Sequence, residues 1–158
     1  MSNSVNGTGP QFRQGKLTFL AVAAGALVAF ALPGRAQPVE SGATIWQQAG
    51  CFNCHGNLAA GDGDPSYPPG PNLRRSRLDR DQLIETIACG RPSTAMPFHL
   101  KGAYTEVSCY GLPVGPAPGV LSGGQYATEQ LEMLADFLLE DVVGVTRITR
   151  ENCAAFVG

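Results

Sequence analysis

Charge is scarce in this chain. Asp, Glu, Lys and Arg make up 15% of its 158 residues, histidine occurs only twice, and the formal net charge is −2. No run of like charges is present, so the chain lacks the electrostatic footprint of a nucleic-acid binder. Internal repeats and low-complexity tracts are absent as well, which excludes a solenoid or a disordered array. With 20 Gly and 12 Pro the chain is punctuated too often for a bundle of long helices. Its length fits one domain with long irregular loops.

A comfortable membrane span is also missing. The one long apolar run, Leu17 to Leu32, has sixteen residues and no charge. As a helix it reaches roughly 24 Å, short of the ~30 Å hydrocarbon core of a bilayer. Arg13 and Lys16 precede it, and Gly34 and Ala36 follow at the small-residue positions of a signal-peptidase site. Residues 1–36 therefore read as a cleaved signal peptide, with an uncleaved membrane anchor as the alternative, and residues 37–158 as the mature domain. Removing Arg13, Lys16 and Arg35 leaves eight basic residues against thirteen acidic ones. An acidic mature domain argues against nucleic acid or an anionic membrane surface as partner; membrane contact is expected only if the N-terminal segment stays. Export to the periplasm places the five cysteines in an oxidising compartment, where disulfides persist.

Along the mature chain, four short helices are predicted. Ser41 caps SGATIWQQAG, which stops at Gly50. Asp79 caps DRDQLIETIACG, with Gln82 as its capping-box partner and Leu83, Ile84 and Ile87 on its buried side. Thr128 is the expected cap of TEQLEMLADFLLEDVV, whose Leu131, Leu134, Ala135, Leu138 and Val142 form one apolar stripe. Thr149 caps a last short turn through Cys153 and Phe156. Between the helices run GNLAAGDGDPSYPPGP and GRPSTAMPFH, both turning or extended. The stretch Leu100 to Tyr126, with VGPAPG at its centre, reads as a loop of functional or tethered length. The fold class expected is all-α.

CFNCH, residues 51–55, is the stretch that demands chemistry. A structural zinc site needs a second Cys/His pair, but Cys89, Cys109 and Cys153 are dispersed and His99 stands alone. A thioredoxin-like motif needs a βαβ setting, which this pattern lacks, and a plain disulfide leaves His55 without a reason. The remaining reading is a C-x-x-C-H haem attachment site. Cys51 and Cys54 would form thioethers with the haem vinyl groups, and His55 would ligate the iron.

With that pentapeptide in place, the domain resembles the monohaem class I c-type cytochromes. The resemblance runs from about Ser41 to Val143 and includes CFNCH, Gly70-Pro71-Asn72-Leu73, a middle helix, Met96-Pro97 and a C-terminal helix. It implies a cytochrome c fold around one covalent haem c, with Trp46 packed against the 131–138 stripe and residues 100–126 as an insertion. It also implies Met96 as the second axial ligand to iron beside His55. The rival is His99, which would give bis-imidazole ligation, while Met133 reads as core. Pro71 falls where the family's proline carbonyl accepts the haem histidine's N–H; otherwise it is a turn former. Arg74, Arg75, Arg77 and Arg80 either neutralise haem propionates, dock an acidic partner or form a solvated face, and Arg91 shares that ambiguity. Of the three remaining cysteines, Cys89–Cys109 and Cys109–Cys153 are equally eligible disulfides, with no bridge as a third outcome.

The function implied is a periplasmic single-electron carrier with His/Met ligation, exchanging electrons with a redox protein donor and acceptor. A haem c subunit docked on a periplasmic dehydrogenase is the alternative, and a haem enzyme or gas sensor the third. No catalytic acid, base or nucleophile is expected.

Overall fold

A computed structural model describes residues 40–156. The expected signal peptide or anchor, residues 1–36, lies outside the described residues. Among those described, no helix is long and apolar enough to cross a membrane.

Helix α1 (Gly42–Gln48) begins where the Ser41 hydroxyl accepts the Thr44 amide at 3.1 Å. After a turn at Ala49 and Gly50, the CFNCH segment forms its own helical turn, α2 (Cys51–His55). A loop leads to a 3₁₀ turn at Leu73–Arg75, capped by the Asn72 side chain. Helix α3 (Arg80–Cys89) carries the predicted capping box: Asp79 accepts the Gln82 amide at 2.9 Å, and Gln82 accepts the Asp79 amide at 3.1 Å. Helix α4 (Thr128–Asp141) is the longest, and α5 (Arg150–Ala155) starts at the Thr149 cap.

Three details of the expected fold are corrected. There are five helices among the described residues instead of about four, because α2 is a separate element. The cap of α4 is Ala127, one residue earlier than expected. An alanine has no capping oxygen, and the Gln130 side chain instead accepts the Ala127 amide at 2.8 Å. The domain is also not purely helical. β1 (Phe98–Leu100) and β2 (Ser122–Tyr126) pair in parallel, with an irregular register between them. Parallel neighbours need a long crossover, and most of residues 100–126 supply it.

The core lies where α4 meets α1 and α3. Leu131, Leu134, Ala135, Leu138 and Val142 are all buried, as their spacing predicts, together with Ile45, Trp46, Leu83 and Ile87. The α5 end adds Phe156, which meets Trp46 edge-on at 5.7 Å and Phe137 at 5.2 Å. Each large side chain so buried contributes about 1.5–3 kcal/mol relative to exposure. At the surface, Arg80 clasps Asp136 of α4 through two hydrogen bonds of 2.6 and 3.0 Å, and this guanidinium holds the Asp136 carboxyl below its usual range.

Candidate functional site

On α2 the three chemically distinctive residues occupy positions i, i+3 and i+4, which share one face of a helix. Cys51 and Cys54 are free thiols, one turn apart, with His55 beside them. This arrangement suits two bonds to one ring edge and one ligand beneath its centre. Burial, reinforced by the neighbouring Cys54, pushes the Cys51 thiol up to about 12, so the sulfur stays protonated. Among the described residues no cluster of three or more His, Cys, Asp or Glu is placed to hold a metal ion by side chains alone.

His55 is only 8% exposed. Its burial depresses the imidazole pKa below the usual 6.5, partly offset by a hydrogen bond to the Pro71 carbonyl. The neutral ring donates from Nδ1 to Pro71 O at 3.0 Å, which fixes the tautomer and leaves Nε2 as the basic nitrogen. The contact depends on the preceding residue. A Cβ at Gly70 would stand 2.7 Å from His55 Nδ1 and 2.9 Å from the Cys54 carbonyl oxygen, so only glycine lets the loop approach this closely. The Gly70 amide also donates to Cys54 O at 2.8 Å. The 56–72 loop is thus packed onto α2 backbone to backbone. Sequence reasoning found Pro71 but not Gly70; the glycine immediately before the acceptor proline was its only visible sign.

The other predicted residues are dispersed. Met96 is half-buried against the core, in the turn between α3 and β1. His99 lies on β1, 6% exposed, with Nδ1 buried and unpartnered among the described residues. Its ring stands 6.2 Å from that of Tyr126. Met133 packs against the core at its edge. The arginine cluster divides. Arg74 is buried and donates to the carbonyls of Leu58 (2.8 Å) and Val145 (3.3 Å), leaving Nη2 without a partner among the described residues. Arg80 engages Asp136 as described, while Arg75 and Arg77 are exposed. Arg74 is therefore no part of a solvated face. Cys89 is bonded to Cys109, which settles the pairing and leaves Cys153 free and exposed.

Two free thiols and an oriented, neutral imidazole on one helical face fit a covalent haem. Trp46 packs beside them, its ring 6.2 Å from that of His55, with Nε1 buried and without a partner among the described residues. Cys51, Cys54 and His55 fit the C-x-x-C-H attachment motif of a covalent haem c, the iron porphyrin of the c-type cytochromes. In agreement, residues 37–106 match the family model for cytochrome C oxidase, cbb3-type, subunit III. That match spans a little under half of the chain and includes CFNCH, Pro71 and Met96. No curated protein and no solved structure matches the chain. Domains of this family are electron-transfer modules with redox protein partners, typically exported or membrane-associated.

Proposed function

We propose that the chain is an exported carrier of single electrons, working in the periplasm, with His55 and Met96 as the axial ligands of its haem iron. The observation that carries this reading is the hydrogen bond from His55 Nδ1 to Pro71 O. It presents one nitrogen and keeps the other bonded within the protein. When bound, the haem would supply a one-electron ferric/ferrous couple, held by Cys51, Cys54, His55 and Met96, and a thioether ligand would raise its potential. The polypeptide holds the ligands in both oxidation states and keeps water out. α1, α4 and α5 do the latter with Trp46, Phe137 and Phe156. Cleavage after Ala36 would release a soluble domain, and retention of residues 1–36 would tether it.

Replacing Met96 with Ala tests the ligation. The haem should stay covalently attached through Cys51 and Cys54, while the weak red absorption band of a sulfur–iron bond disappears and the reduction potential falls. Survival of that band would exclude Met96.

A second reading is favoured by one observation. Val107, Tyr110, Leu112, Val114 and Leu121 are large apolar residues exposed by 39–61%, all within the insertion. Exposed apolar side chains gathered in one segment mark docking surfaces. In this reading the domain is the haem subunit of a larger redox assembly, as the oxidase-subunit description of the matched family also allows. Co-purification with a larger partner from native membranes or periplasm separates it from a free carrier.

A further inference from the structure

The insertion contacts the base of the Met96 turn, and the chemistry of those contacts is specific. Helix α3 ends at Cys89, so its last carbonyls lack partners within the helix. Two tyrosines of the insertion supply them. Tyr104, 2% exposed, donates its hydroxyl to Cys89 O at 2.9 Å, and Tyr110 donates its hydroxyl to Gly90 O. Between them, Cys109 is bonded covalently to Cys89. The Tyr110 amide donates to Glu85 of α3 at 3.1 Å.

Both tyrosines adopt left-handed backbone, with φ of 66° for Tyr104 and 54° for Tyr110. A bulky residue holds such a conformation only where its surroundings over-determine it. Here the two strained residues are the two that aim hydroxyls at one helix end.

What they hold is the neck of the methionine turn. Arg91 N donates to Met96 O at 3.1 Å, and Met96 N donates to Thr94 Oγ1 at 3.2 Å. Gly90, at φ +66°, lies so close to residues 96–98 that an added Cβ would stand 2.6 Å from Pro97 C and Phe98 N. Phe98 in turn meets the Tyr104 ring edge-on at 5.9 Å. Residues 90–97 therefore form a closed turn whose two ends are pinned by Tyr104, Cys109 and Tyr110.

We propose that Tyr104, Tyr110 and the Cys89–Cys109 bridge are positioning residues for the axial methionine: the insertion braces the Met96 turn and suppresses the opening that would take the thioether off the iron. This rests on Met96 being the ligand. A methionine on a turn is released whenever the turn opens, and an external ligand binds the iron only from that open form. The apparent affinity for such a ligand therefore measures the open fraction.

Cyanide binding to the ferric holoprotein tests the proposal, with the sulfur–iron band recorded in parallel. The wild-type protein should show the band and bind cyanide weakly. Cys89→Ser/Cys109→Ser should tighten cyanide binding roughly tenfold or more. Tyr110→Phe, which removes one neutral hydrogen bond, should tighten it about fivefold. Both effects should appear where circular dichroism reports unchanged helix, which a role in overall stability alone would not produce. A wild-type band with equal cyanide affinity in the variants overturns the brace, whereas a wild-type protein without the band overturns Met96 ligation instead. If the double serine variant does not fold, Tyr110→Phe alone decides, since it deletes a single oxygen from a surface side chain.

Discussion

The two sides of the haem site are built by different means. On the histidine side every element is local: α2, the loop from Gly56 and the Pro71 carbonyl, sixteen residues from His55. The proposed ligand stands on a helical turn, and glycine lets the acceptor loop pack against it. On the methionine side the proposed ligand sits on a turn, and the parts that steady it come from an insertion, a parallel strand pair and a disulfide. The two histidines repeat the contrast. His55 Nδ1 is satisfied by a carbonyl, whereas His99 Nδ1 is buried without a partner among the described residues. A ligand on a helix inherits its position from the helix, but one on a turn needs a scaffold from elsewhere in the chain.

The largest expected effect comes from the core behind the histidine side. Trp46 is 1% exposed, beside His55 and Phe156. Trp46→Ala should lower stability by about 3–5 kcal/mol, measured by denaturant unfolding of the holoprotein. It should disturb the His55 environment while leaving the Cys89–Cys109 bridge formed.

A smaller loss, about 1–3 kcal/mol, is expected for Gly70→Ala, because the new methyl group intrudes on His55 Nδ1 and Cys54 O. Its distinguishing mark is spectroscopic: the imidazole hydrogen bond should weaken, with a shift in reduction potential, and the sulfur–iron band should persist. An equal effect on both ligands would erase the contrast between the two sides.

The smallest effect concerns His99. Burial pushes its pKa below the ordinary 6.5, so the unfolded chain binds the proton more readily. The stability gained by keeping the ring neutral is complete above that ordinary value and is lost as pH falls below it. The slope should be at most about 1.4 kcal/mol per pH unit. Denaturant midpoints measured from about pH 7 to 5 should fall for the wild type and flatten for His99→Gln.

The histidine side was legible because its information is local. CFNCH, Pro71 and the helix caps at Ser41, Asp79 and Thr149 are short patterns, and the α4 stripe is a clean 3.6-residue period. The methionine side was only partly legible. Met96-Pro97 was visible, but FHL and SGGQY are too short and too glycine-rich to announce strands, and their pairing joins residues more than twenty apart. The choice between Cys89–Cys109 and Cys109–Cys153 depended on that same crossover. Tyr104 and Tyr110 gave no sequence signal, since a left-handed backbone at tyrosine is imposed by surroundings and not by propensity.

Counting reactive thiols in the intact, correctly matured protein tests the central claim most directly. Five cysteines are present: two for haem thioethers, two in the Cys89–Cys109 bridge, and Cys153 exposed and free. Alkylation under denaturing, non-reducing conditions followed by mass spectrometry should label Cys153 alone, on a chain heavier by one haem. Labelling of Cys51 and Cys54 as well, on a colourless chain without added mass, would contradict the account.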